Sequence, residues 1–282
     1  MASSSLSKSD IVTQARSLGA ELVGVAPVDR WNDIHEVPSA RRPQTIWPRA
    51  KTVIVLGVPL WLPVVEAAPY QLGHEQIIVT DKLLEEEAYR LSNFLNAHGH
   101  AAINVPRGSD DEPDSPAEVP RVFSHVWAGR LAGLGKVGRS RALLTRGYGP
   151  RQRLVSVFTE LVLDGDPLVV PPLCTQCGNC ERICPAHAFS TSSGRWLATL
   201  DTDACAANHK RLRAAFRDPC GFCHNVCPVG EDRALFGSTD TQKYFDEAAA
   251  LARDPFAPQY QSWLHIRKYG GFPLPEDPPS IR

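Results

Sequence analysis

All eight cysteines of this 282-residue chain fall between Cys174 and Cys227. They form two blocks, Cys174-x2-Cys177-x2-Cys180-x3-Cys184-Pro185 and Cys205 followed by Cys220-x2-Cys223-x3-Cys227-Pro228. The first block is the bacterial ferredoxin run, in which three closely spaced thiolates hold one cluster and the fourth, followed by proline, ligates the other. On that rule Cys174, Cys177, Cys180 and Cys227 hold one [4Fe–4S] cluster, and Cys205, Cys220, Cys223 and Cys184 hold a second. The second block departs from the standard run, because its first ligand stands fifteen residues before Cys220. That insertion lengthens a loop and leaves the ligand count intact. Structural zinc takes its thiolates in two pairs and gives no reason for the triplet or for the two prolines. Disulfides need an oxidising compartment, whereas Met1 to Lys8 carries neither an apolar signal core nor a twin arginine. No apolar stretch approaches the roughly 20 residues that cross a bilayer. These features predict a cytoplasmic, oxygen-sensitive protein with no membrane partner.

A bare two-cluster ferredoxin needs only a fraction of this length, so the 173 residues before Cys174 have a further task. Their charge is uneven although the net charge is −1. Between Glu118 and Glu160 there is no acid, while Arg121, Arg130, Lys136, Arg139, Arg141, Arg146, Arg151 and Arg153 stand in the same stretch. Such a segment predicts an anionic ligand.

Hydrophobic patterning predicts an α/β (α+β) core. Ser7 or Ser9 caps a helix to Leu18, Gly19 ends it, and Leu22–Ala26 is a short strand. Thr52–Val58 is a continuous apolar run expected of a strand covered on both faces. Leu83, Leu84, Ala88, Leu91, Phe94 and Leu95 recur at helical spacing over about Asp81 to His98. Ala101–Val105 and Arg153–Leu163 are further strands, and Tyr244–Arg253 is a helix. Gly108–Pro120 is a surface loop, read as a plain solvated connection or as a lid. The Pro-rich stretch Gly270–Pro279 is an extended tail that packs along the body or exchanges with a partner subunit in a homodimer. The expected boundaries are 1–165 for the core, 166–235 for the cluster domain and 236–282 for the terminal helix and tail.

Gly133-Leu134-Gly135-Lys136-Val137-Gly138 contains Gly-x-Gly-x-x-Gly. The dinucleotide fingerprint follows a strand and precedes an acid by about 20 residues, whereas here a helical stretch precedes it and Arg153 stands at that distance. Turn glycines without a ligand, or a backbone cradle for a bulky anionic or amide-rich ligand, are the remaining readings.

Ser124-His125-Val126-Trp127-Ala128, the Ala132–Arg139 segment, Leu143-Leu144-Thr145-Arg146-Gly147-Tyr148-Gly149-Pro150-Arg151, a strand ending Phe158-Thr159-Glu160 and two ferredoxin blocks form an ordered set. In that set the chain resembles the epoxyqueuosine reductase and reductive dehalogenase superfamily. The resemblance implies a nitroreductase-like core that binds cobalamin, with a C-terminal ferredoxin-like double [4Fe–4S] domain delivering electrons to it. It also implies that Ser124, Gly133, Leu134, Gly135, Lys136, Gly138, Arg139, Leu144, Tyr148 and Arg151 line the cofactor cavity. The tRNA-modifying branch has an acid shortly before its Ala-Gly-Leu-Gly, where this chain has Val122-Phe123-Ser124-His125, so tRNA is not the expected partner. A small-molecule substrate and an external electron donor, whether ferredoxin, flavodoxin or a reductase, are expected instead. His125 and Tyr148 are the candidate proton donors, and Arg121 and Arg151 are placed to anchor a carboxylate or phosphate. Two alternatives stand beside this one: an FMN-dependent iron–sulfur reductase, and a non-catalytic electron-transfer partner.

Overall fold

A strand presents alternate side chains to opposite faces, so one that is apolar throughout has to be covered on both. The computed structural model describes residues 6–66, 71–107, 123–190, 195–214 and 220–254. In chain order it contains α1 (Lys8–Ser17), β1 (Leu22–Pro27), α2 (Pro43–Ile46), β2 (Thr52–Pro59), α3 (Leu62–Glu66), α4 (Gln71–Ala97), β3 (Ala102–Val105), α5 (His125–Leu131), β4 (Lys136–Val137), β5 (Leu143–Leu144) and β6 (Gln152–Thr159). The cysteine region adds α6 (Asn179–Arg182), β7 (Phe189–Ser190), β8 (Thr199–Leu200), α7 (Thr202–Ala214), α8 (Phe222–Asn225), α9 (Asp232–Leu235) and α10 (Gln242–Arg253). The expected lid, Arg121 and the extended tail lie outside the described residues.

The main sheet has the order β1-β2-β6-β3, and every pairing in it is antiparallel. Its two central strands divide their side chains between two cores. Ile54, Leu56, Val155 and Val157 meet Leu84, Ala88, Leu91 and Leu95 of α4 with Ile11 and Ala15 of α1. Val53, Val55, Leu154 and Phe158 meet Trp31, Trp127, Ala128 and Leu131 on the other face. Each such side chain contributes about 1.5–3 kcal/mol on burial. The apolar run of β2 was thus a sound guide to two-sided burial, here achieved by helices over an antiparallel sheet.

Local signals set the element ends. The Ser7 hydroxyl accepts from Asp10 N–H while the Asp10 carboxylate accepts from Ser7 N–H, a capping box that starts α1. Gly19, at φ +119°, turns the chain after it. The last strand stops at Thr159 instead of running to Leu163, because Thr159 faces Thr52 and Ala102, the first residues of both neighbours. Beyond it no partner strand remains, and Thr52 Oγ1 donates to Leu161 O in place of a ladder bond (2.7 Å). Helix α4 starts ten residues before the expected Asp81, because its first turns extend past the stripe that packs on the sheet.

Glu87 interrupts that stripe. It is buried, its Oε1 lies over Gly19, and burial followed by the charge of Glu86 pushes its carboxyl up to about 7. A carboxyl raised in the fold from its ordinary 4.5 holds its proton there, so stability is full below the unfolded value and falls as pH rises through about 7. Glu87→Gln is therefore expected to raise the thermal unfolding midpoint above pH 7 and to change it little at pH 5. Equal midpoints at pH 8 would show that the group is not held protonated.

Candidate iron–sulfur and cofactor site

The two cysteine blocks fold into the same turn. In each, a glycine in the left-handed region, Gly178 (φ +73°) or Gly221 (φ +58°), caps a one-turn helix that carries the next cysteine. Helices α6 and α8 then pack against each other, which brings the last cysteine of one block beside the first three of the other. Cys174, Cys177, Cys180, Cys223 and Cys227 line one cavity, with Arg139, Ser140 and Leu144 of the β4–β5 hairpin region as its wall on the core side. The Cys220 thiol feels the charges of Cys205 and Cys184, and the Cys223 thiol those of Cys220, Cys205, Cys180 and Cys184. The side-chain amide of Asn208 donates to the Cys220 sulfur and the Ala188 N–H to the Cys184 sulfur, each at 3.4 Å. The fold thus gathers cysteines of both blocks at one place, with Cys223 near Cys180 as well as near Cys205, Cys220 and Cys184.

These residues fit iron–sulfur clusters. Among the described residues no three Cys, His, Asp or Glu side chains converge on a single ion; cysteines of both blocks line a shared cavity instead. Burial, then Glu181 and the other thiols, pushes Cys180 up to about 12, and burial pushes Cys220 up to about 11 and Cys223 upward as well. Bare thiols in this setting keep their protons, and iron must displace them to be held. Amide donors to cluster sulfurs then tune the bound group.

The cationic stretch meets acids from distant parts of the chain. Arg139 pairs with Glu181 and also donates to Gln176 Oε1 (2.7 Å). Arg151 makes two bonds to Asp232 (2.5 and 2.8 Å), Arg153 makes two to Asp81 (2.7 and 2.9 Å), and Arg107 pairs with Asp81 too. Lys136 donates to Val170 O, and Arg130 lies over the Trp127 ring. The anion expected from the sequence is thus supplied for three of these arginines by carboxylates of the chain itself.

The expected cavity residues are also accounted for by packing. A Cβ at Gly133, Gly135 or Gly149 would strike Pro167 O, Leu144 O or Val229 O, and one at Gly138 would strike the Leu144 side chain. The Gly-x-Gly-x-x-Gly pattern is explained by close approach of the chain to itself. Leu134 packs against the core, and Leu144 belongs both to the hairpin and to the cluster cavity. Ser124 caps α5 through the Trp127 N–H. For a corrinoid the fit is therefore narrower than for the clusters: of the ten predicted contacts Arg139 and Arg151 are engaged in ion pairs, while Ser124, Leu134, Lys136 and Tyr148 are partly exposed side chains outside them.

His125 and Tyr148 stand apart. His125 Nδ1 bonds Ser156 Oγ (2.9 Å), and its Nε2 faces Pro106 O (3.4 Å) just past edge strand β3. Tyr148 donates to Glu21 Oε1 (3.3 Å) just before the opposite edge strand β1, and stands edge-on to Trp61 at 5.5 Å. Burial, then the Arg107 cation, pushes His125 down to about 4, while burial and Glu21 raise Tyr148. A buried polar network joins these elements without any local signal in the sequence. Glu66 accepts from Tyr244 Oη and Ser238 Oγ and faces Lys243 and Arg233, across separations of more than 160 positions.

A family model described as a 4Fe-4S binding domain matches residues 167–190. Over 224 residues the chain is 28% identical to a tetrachloroethene reductive dehalogenase of Desulfitobacterium hafniense, covering 64% of this chain and 38% of that protein. It is 25% identical to an epoxyqueuosine reductase of Gloeobacter violaceus, covering 87% and 82%. A solved structure titled as a reductive dehalogenase that suggests a mechanism for B12-dependent dehalogenation superposes with a TM-score of 0.60 at 21% identity, over 93% of this chain and 37% of that one. The chain thus spans well under half the length of the dehalogenases it matches. No helix among the described residues is long and apolar enough to cross a membrane.

The lowered imidazole makes a pH prediction. Between about 4 and 6.5 the unfolded chain binds a proton at His125 that the fold does not, so this contribution is full above pH 6.5 and is lost as pH falls toward 4. His125→Gln is expected to flatten the fall of the thermal midpoint over that window. A slope equal to that of the parent protein would rule out a buried neutral imidazole.

Proposed function

Related as it is to reductive dehalogenases and epoxyqueuosine reductases, the chain is, we propose, an iron–sulfur oxidoreductase that passes electrons through two [4Fe–4S] clusters to a corrinoid for reduction of a small molecule. The observation that supports this is the gathering of cysteines from both blocks around a cavity walled by residues of the core. Residues 1–165 form the cofactor core, of the nitroreductase-like type, 166–235 the cluster domain and 236–282 the terminal segment. The clusters, when bound, supply single electrons at potentials set by thiolate ligation, hydrogen bonding and burial.

The chain's own residues then divide the remaining tasks. The two-residue strands β4 and β5 and the residues around them hold the cluster-binding turn against the sheet through Arg139 and Arg151. His125, neutral above about pH 4, serves as an acceptor or a neutral hydrogen-bond partner at ordinary pH. Tyr148, whose hydroxyl is held protonated, is the better proton donor of the two. Ser124 and Tyr148 would be among the residues that hold the corrinoid, and an external one-electron carrier would reload the clusters.

Anaerobic purification with iron and sulfide analysis and mass spectrometry of the organic extract tests this reading. About eight irons per chain, the content of two cubanes, together with a corrinoid retained or taken up on addition, is the expected result. Zinc in place of iron would sink the cluster assignment, and FMN in place of a corrinoid would replace the core cofactor.

A further inference from the structure

Cys227 differs from its counterpart Cys184 in what holds its backbone. The Cys184 carbonyl accepts from the neutral His187 N–H at 3.1 Å. The Cys227 carbonyl accepts from two guanidinium groups, Arg151 Nη1 at 3.1 Å and Arg233 Nε at 2.7 Å. Both arginines are at most 2% exposed, so their charge acts through a poorly screened interior. Their counter-ions sit on other edges. Asp232 takes Nε and Nη2 of Arg151, leaving Nη1 toward Cys227. Glu66 stands 3.9 Å from Arg233 and is itself bonded by Tyr244 and Ser238. The positive end of each pair therefore points at this cysteine.

We infer that Arg151 and Arg233 are positioning residues that raise the reduction potential of the cluster held by Cys174, Cys177, Cys180 and Cys227, acting through the Cys227 carbonyl. The inference rests on the cluster reading above. Reduction adds one negative charge to a cluster, and a fixed cation nearby stabilises the reduced form. The Cys184 cluster has a neutral donor at the equivalent carbonyl, so the two clusters become unequal. The one beside the core hairpin, whose cavity Leu144 and Arg139 wall, is the stronger electron acceptor. Electron flow then has a direction, from the Cys184 cluster toward the core. Arg151 belongs to the core and reaches a ligand residue of the cluster domain, so it also ties the potential to the docking of the two parts.

The test is a redox titration of the anaerobically purified protein followed by electron paramagnetic resonance. Arg151→Gln and Arg233→Gln are expected to move one midpoint to more negative values and to leave the other in place. Asp232→Asn, which removes a negative charge and keeps Arg151, is expected to move that same midpoint upward. Loosening of the structure would shift Arg151→Gln and Asp232→Asn in one direction, and that result overturns the inference. Should the arginine variants fail to retain clusters, Asp232→Asn alone decides, since its expected shift has the opposite sign to structural damage. Unchanged midpoints in a protein with two clusters overturn this inference alone. A parent protein without cubane signals overturns the cluster reading and this inference with it.

Discussion

The ion pair between Arg151 and Asp232 is the interaction on which the joining of core and cluster-binding turn depends. Each side chain is only 1% exposed, and burying two charges costs several kcal/mol per ion unless geometry and added hydrogen bonds offset it. Here all three guanidinium nitrogens have acceptors, namely Asp232, Cys227 O and Val229 O. Room for the planar group comes from two glycines. A Cβ at Gly230 would meet Arg151 Nη2 at 2.4 Å, and one at Gly149 would meet Val229 O at 1.9 Å. The turn that ends in Cys227 is thereby pressed onto the strand that starts at Gln152, and the position of one cluster ligand is fixed by the sheet.

That arrangement gives the two halves of the molecule different chemistry. The sheet and its helices are apolar on both faces and supply rigidity. Among the described residues of the cysteine region the apolar cluster is small, Ile183, Val226 and Tyr244 with Phe222 and Phe245. Its order comes from polar ties to the core and, in the proposed holoprotein, from the iron itself, whose binding energy is folding energy where ligands converge only in the folded chain. The raised thiols have the same origin, since the groups are buried and crowded before any metal neutralises them.

Much of this was legible in the residues. Ser7 and Asp10 start α1, the apolar run of β2 forecasts two-sided burial, and the cysteine spacing marks two blocks whose cysteines the fold brings to one cavity. The charge of Glu118–Glu160 predicts an anionic ligand without saying where its charge comes from, because sequence shows which charges are close along the chain and not which are close in space. Asp81, Glu181 and Asp232 come from three other segments, 72, 42 and 81 positions away from the arginines they bind. The glycine pattern leaves two readings open for a related reason, since close approach to a ligand and close approach to the chain's own carbonyls require the same absent side chain.

The sequence by itself determined the grouping of the cysteines into two blocks, the strand that both cores cover and the capping box that opens α1, because each of these is set by spacing over a few residues or by short-range capping. Only the tertiary structure decided which charges neutralise which, that His125 and Tyr148 lie at opposite edges of one sheet, and that two arginines converge on Cys227. Those outcomes depend on pairings across tens to hundreds of positions, where burial and electrostatics act through space and leave no periodic trace along the chain.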